Sequence, residues 1–179
     1  MRILAGFMAW TLRPATLADA ERLARCVADG FAAYRDFAPA DWEPPSYELQ
    51  LQLFQRTLPN PDVYCVLAES DDGELAGLVA IQPGSFAPRQ LDERTAFLWR
   101  LFVEPPFHGT GLAGALHDEG LREASERGYS AIHLLAAAGQ ARARRFYERE
   151  GWVLEGEAFV QEGFGMEVVE YRRPISSSV

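Results

Sequence analysis

Apolar positions along the chain switch between a two-residue and a 3.6-residue period, and the switches mark its elements. Residues 9–15 (AWTLRPA) alternate as a first strand. Thr16, with Asp19 three residues on, approaches a capping box, and Ala20, Leu23, Ala24, Val27 and Phe31 follow at helical spacing, predicting a helix to about Tyr34. Pro39, Pro44 and Pro45 exclude regular structure through much of 36–46, and a second helix is predicted over 47–58, ending before Pro59-Asn60-Pro61. Two strands, 63–69 and 74–82, flank the hairpin turn Ser70-Asp71-Asp72-Gly73. The most apolar strand follows at 95–104 (TAFLWRLFVE), then a helix over 112–127, a strand over 130–136, a helix over 140–150 and closing strands at 152–159 and 166–173. This order predicts an α/β fold with a mixed sheet, because only the middle strands are separated by crossover helices.

At 179 residues the chain has the size of one domain, with a core over about 9–174 and frayed ends at 1–8 and 175–179. Hydrophobic residues at 48% and charged residues at 24% place it among globular proteins. The formal charge of −9, with no lysine anywhere, argues against a nucleic-acid partner, since neutralising phosphates needs a basic face. Residues 1–10 are apolar but too short to span a membrane, and no membrane partner is expected. Cys26 and Cys65 sit in apolar company as buried thiols, which suggests a reducing, cytoplasmic setting. No His/Cys/Asp cluster has metal-ligand spacing, so no metal is expected, and His117 on a helix and His133 on a strand read as structural.

Chemistry concentrates where the apolar strand ends. Leu101-Phe102-Val103-Glu104-Pro105-Pro106-Phe107-His108-Gly109-Thr110-Gly111-Leu112-Ala113-Gly114 runs from a strand through two prolines and paired glycines into a helix. Glycines let a ligand approach the backbone, and the helix start offers unpaired N–H groups, which together suit an anion such as phosphate. Gly109, Gly111 and Gly114 spell G-x-G-x-x-G, but a dinucleotide fold needs an acid about twenty residues on, where Leu134-Leu135-Ala136-Ala137 stands. A nucleotide P-loop needs lysine, and an esterase reading needs a Gly-x-Ser-x-Gly elbow; neither occurs.

The same stretch resembles the acetyl-coenzyme A loop of the GNAT acetyltransferase superfamily, with His108-Gly109-Thr110-Gly111-Leu112-Ala113 at the pattern Arg/Gln-x-x-Gly-x-Gly/Ala and Leu101 to Pro105 before it. Residues 144–152 (RRFYEREGW) resemble the family's FYEKLGF segment, with Tyr147 at its tyrosine. His108 stands where Arg or Gln is usual, and Gln140 where Asn often begins the last helix. The resemblance covers nearly the whole chain. It implies a GNAT-like mixed sheet of about six to seven strands with about four helices, direct acetyl transfer from acetyl-coenzyme A to an amine, and a homodimer as one assembly known among relatives.

The resemblance also implies roles. Leu101, Phe102, Val103, His108, Gly109, Thr110, Gly111, Leu112, Ala113, Gln140 and Arg142 are expected at the coenzyme. Val103 N–H would stabilise the thioester oxyanion, and Tyr147 would protonate the departing thiolate, a phenol near pKa 10 beside a thiol near 8.5. Glu104 is the candidate base, equally readable as a surface charge. Tyr34, Phe37, Trp42 and Trp99 are the expected acceptor contacts, and the acids interleaved with aromatics over 34–43 suit a small cationic amine. A protein or peptide acceptor, or a non-catalytic acyl-coenzyme A sensor, are the competing readings.

Overall fold

The computed structural model describes residues 9–89 and 91–176. The ends expected to fray therefore lie mostly outside the described residues, but Ile175 is fastened: its N–H donates to Ser130 O at 3.0 Å. Strands β1 (Trp10–Pro14), β2 (Tyr64–Ser70), β3 (Leu75–Pro83), β4 (Thr95–Val103), β5 (Ala131–Ala137), β6 (Val153–Gln161) and β7 (Met166–Pro174) form one sheet in the order β1-β2-β3-β4-β5-β7-β6. All neighbours are antiparallel except β4 and β5. The helices are α1 (Ala20–Ala32), α2 (Tyr47–Thr57), α3 (Leu112–Glu126) and α4 (Ala141–Arg149), and the mixed α/β expectation holds.

Strand alternation divides the core in two. Cys65, Leu67, Leu78 and Ala80 pack with Leu23, Val27 and Phe54 of α1 and α2. Val66, Ala68, Val79 and Ile81 turn the other way, onto Leu112 and Leu116 of α3. Because both faces are covered, these strands read as near-continuous apolar runs despite being antiparallel. Burial pushes the Cys65 thiol up to about 12 and the Cys26 thiol still higher, so both stay protonated.

Local chemistry fixes the joints. The β2–β3 turn closes with Gly73 N–H on Ser70 O and Ser70 N–H on Glu74 O, both at 2.9 Å. Asp19 takes the Thr16 N–H at 2.8 Å and both Arg13 terminal nitrogens at 2.9 Å, clasping the start of α1 to β1. The Arg13 hydrogen bonds hold its carboxyl well below the usual carboxylate range. At the other end, Arg144 and Glu148 do not pair directly. Arg144 Nε donates to Tyr171 Oη at 3.1 Å, and Tyr171 donates to Glu148 Oε1 at 2.7 Å, fastening α4 to β7.

Candidate active site

A single structural event opens the site: β4 and β5 part company. They pair only from Thr95↔Ala131 to Phe97↔His133, and then diverge. On the other side of β4, pairing with β3 jumps from Ile81↔Leu98 to Ala80↔Arg100, leaving Trp99 as the extra residue of a bulge. Glu104 N–H donates to Ala76 O at 2.8 Å. By ladder alternation Val103 therefore turns its N–H and C=O away from β3, toward the gap that β5 has left.

The glycine turn sits at the mouth of that gap. Gly109 and Gly111 have φ of +77° and +88°, which other residues adopt only with strain, and a Cβ on either would meet no protein atom within 4 Å. Gly111 caps α3, whose first helical bond runs from Ala115 N–H to Gly111 O at 3.1 Å. The N–H groups of Leu112, Ala113 and Gly114 are consequently the free donors of the helix end. Thr110 spends its hydroxyl locally, donating to Phe107 O at 2.7 Å.

His108 braces the turn. Its Nε2–H donates to Val103 O at 2.9 Å, which leaves Nδ1 as the acceptor facing Arg142 at 3.5 Å. The residue that departs from the family pattern thus links the end of β4 to the start of α4. Arg142 is exposed and, among the described residues, has no carboxylate within 4 Å. Gln140 caps α4, and its amide acts on the Tyr34 phenol, opposing the burial that pushes Tyr34 up to about 12.

Behind the turn lies a cleft of about 260 Å³. Leu101, Phe102, Tyr147, Tyr34 and Trp99 line it; Val103 and the glycine turn do not. Tyr147 is 9% exposed and packs edge-on against Phe146 and Trp152, with centroids 5.4 and 5.7 Å away. It is a core aromatic and a cleft residue at once. Burial, followed by the neighbouring Tyr34, pushes its phenol above the usual value, so it remains a proton donor.

Glu104 stands elsewhere. It shares a strand parity with Arg100 and Phe102, on the α1 face, and its carboxylate lies beside the Cys26 thiol. It does not line the cleft, so the candidate base is separated from the space that holds Tyr147.

The acceptor expectations divide similarly. Tyr34 and Trp99 reach the cleft, whereas Phe37 and Trp42 form its outer wall. Trp42 Nε1 donates to Phe164 O at 2.7 Å, anchoring the β6–β7 loop, and Phe37 packs so close to Gly139 that a Cβ there would sit 3.3 Å away. Asp36, Asp41 and Glu43 are exposed, and among the described residues no carboxylate lines this cleft. Asp41, Trp42 and Glu43 instead line a second pocket of about 330 Å³ that shares Gly163 and Phe164 with the first. The one charged group of the first cleft is Arg100, an arginine inside the apolar run TAFLWRLFVE; that interruption was the available signal in the sequence.

The remaining histidines are committed to packing. His117 is fully buried, its Nε2 accepts the Trp152 indole N–H at 2.9 Å, and its Nδ1 faces Asp118 at 3.1 Å; burial holds it below the usual histidine value, in the neutral form. His133 Nδ1 meets Glu170 Oε1 at 2.7 Å. Among the described residues the possible metal-donor groups are His117–Asp118–Glu150 and His133–Glu155–Glu170, and in the first, with Nε2 accepting the indole N–H, the neutral His117 ring carries its proton on the Nδ1 that faces Asp118. Among the described residues, no helix is long and apolar enough to cross a membrane.

Comparison with known proteins converges on one family. The family model described as the acetyltransferase (GNAT) family matches residues 28–152. Over 91 residues the chain is 31% identical to an uncharacterized N-acetyltransferase of Mycobacterium tuberculosis, covering 51% of this chain and 54% of that protein. The chain thus spans about half the length of the curated relatives it matches. Among solved structures, a protein from Desulfovibrio desulfuricans assigned to the GNAT acetyltransferases superposes with a TM-score of 0.74 at 24% identity, over 94% of this chain and all of that one. A spermidine N-acetyltransferase from Vibrio cholerae, in complex with CoA and spermine, gives 0.68 at 20% identity over 94% and 96%.

Proposed function

We propose, for a chain that belongs to the acetyltransferase (GNAT) family, that it moves an acetyl group from acetyl-coenzyme A to a primary amine of a small molecule. The observation that carries this is the placement of Tyr147 in the cleft behind a backbone-lined glycine turn, where β4 and β5 diverge. The open space above Gly109 and Gly111 fits an anion cradle, because nothing of the protein fills it. The family's cosubstrate supplies an activated thioester there. Amine nitrogen bonds to the acetyl carbon, the C–S bond breaks with its electron pair leaving on sulfur, the nitrogen loses a proton and the sulfur gains one.

The chain's residues divide that work. The N–H groups of Leu112, Ala113 and Gly114, with the helix dipole behind them, bind pyrophosphate without a positive side chain. Arg142 adds a mobile charge at the rim, and Gln140 orients the arm of the ligand near Tyr34. Val103 N–H, facing the gap, donates to the developing oxyanion. Tyr147, kept protonated by burial, gives its proton to the departing sulfur. Since Glu104 lies by Cys26, the amine loses its proton to water in the open cleft.

The test is thiol release from acetyl-coenzyme A against a panel of primary amines, with Tyr147→Phe beside the native chain. Release that depends on amine and falls in the variant supports the reading. Coenzyme binding with no release for any amine would favour the sensor, a module that holds the ligand without turnover.

A further inference from the structure

The acceptor cleft contains a partly buried charge with no carboxylate partner among the described residues. Arg100 follows the bulge residue Trp99 on β4 and reaches into the cleft. Its Nη1 donates to Trp99 O at 2.9 Å and its Nη2 to Gln50 Oε1 at 3.1 Å. Its guanidinium carbon lies 4.4 Å from the Trp99 ring centroid and 5.4 Å from that of Phe31. Its Nε is buried and lacks any hydrogen-bond acceptor, the sole such side-chain atom among the described residues. Its contacts are neutral or aromatic: among the described residues no carboxylate lies within 4 Å of Arg100, and none lines the cleft. Desolvation depresses its pKa to about 10, so the group remains charged at neutral pH while waiting for a counter-charge.

A guanidinium with one N–H to spare on each terminal nitrogen, packed against two aromatic rings, matches the planar fork of a carboxylate. In a protein of net charge −9 the one charged group lining this cleft among the described residues is positive, which disfavours a second cationic group of the acceptor beside Arg100. Resting on the acetyltransferase reading, we propose that the acceptor is an amino acid: one small molecule carrying the reacting amine and a carboxylate that Arg100 receives, with an apolar side chain among Phe31, Trp99 and Leu53. Such a zwitterion keeps the amine expected opposite residues 34–43, where Asp41 and Glu43 line the adjoining pocket, and adds a carboxylate for Arg100.

The experiment compares L-amino acids with the corresponding amino-acid amides, which differ only in the carboxylate, using thiol release from acetyl-coenzyme A, with spermidine as the polycation. At least one amino acid is expected to exceed its amide in kcat/KM by about 10–100-fold, the range for a hydrogen bond to a charged group. Arg100→Gln is expected to erase that ratio by lowering the acid alone, and Arg100→Lys, which keeps charge without the fork, to restore part of it. Amides or spermidine turned over as well as the acids would overturn the proposal, and so would an Arg100→Gln variant that weakens acids and amides equally. The native preference stands on its own if that variant fails to fold. Stabilisation by acetyl-coenzyme A, measured on the same samples, separates the two failures: coenzyme binding without any acid preference sinks this inference alone, and no coenzyme binding sinks the acetyltransferase reading.

Discussion

The two halves of the proposed site are built from different material. At the glycine turn, outside the cleft lining, the proposed recognition is backbone: two glycines at positive φ and the first N–H groups of α3, with His108 and Arg142 as braces. At the acceptor end it is side chain: Arg100, Tyr34, Trp99 and Gln50, brought together from β4, the segment after α1, and α2. A backbone site demands only a local conformation, so it is written in consecutive residues. A side-chain site demands that distant residues converge, so its chemistry depends on which way each strand residue faces. Under the proposed function, the contrast lets an acidic protein hold a polyanion. Charges beyond about 8 Å are screened at physiological salt, leaving local N–H groups to decide.

The sharpest way to break the comparison is at the backbone end. Gly111→Val places a β-branched residue at φ +88°, with its Cβ in the proposed ligand space and clear of protein atoms by 4 Å. It is expected to abolish stabilisation by coenzyme A while the variant keeps a cooperative melt. Retained stabilisation would show that the turn is not the cradle.

Tyr147→Phe sits between the two ends. Removing the acid is expected to lower kcat by about 100-fold, at the lower bound of general acid catalysis, with coenzyme affinity unchanged. Because burial raises this phenol, and the acid works protonated, the native rate is expected to show no Tyr147 alkaline limb at or below the ordinary phenol value of about 10. A limb lying lower would reassign the proton donor.

Smaller effects test whether the ends are separable. Trp42→Phe loses the indole bond to Phe164 O, a net loss of roughly 1 kcal/mol to the β6–β7 loop, and is expected to raise acceptor KM without moving coenzyme affinity. Arg142→Ala is expected to have the smallest effect, weakening coenzyme binding a few-fold at low salt and hardly at high salt, as for an exposed charge. Titration calorimetry at two ionic strengths reads both terms.

The sequence made the scaffold legible because each element announced itself locally. The α1 periodicity, the Ser70–Gly73 turn and the glycine run into α3 all lie where the pattern puts them. Tyr147 was found through its neighbours in RRFYEREGW. Orientation was what stayed hidden. One extra residue at Trp99 resets the parity of β4, and no periodicity reveals a bulge before the partner strand is known. Glu104, equally readable as a base and as a surface charge, lies beside Cys26 and does not line the cleft, although Arg100 and Phe102 of the same strand parity do. The acids of residues 34–43 are exposed, with Asp41 and Glu43 lining the adjoining pocket. Phe37 and Trp42, also expected at the acceptor, pack beside Tyr34 and Phe164 at the edge of this cleft, and Trp42 lines the adjoining pocket.

The most direct measurement is the thermal melt of the native chain with acetyl-coenzyme A, coenzyme A and NAD. At about 100 times its dissociation constant a ligand adds roughly 2.7 kcal/mol, or roughly 5–10 °C for a domain of this size. The account requires such a shift with both coenzyme A species and none with NAD. No shift with either coenzyme A species would reduce the glycine turn to a strand-to-helix joint and contradict the account at its foundation.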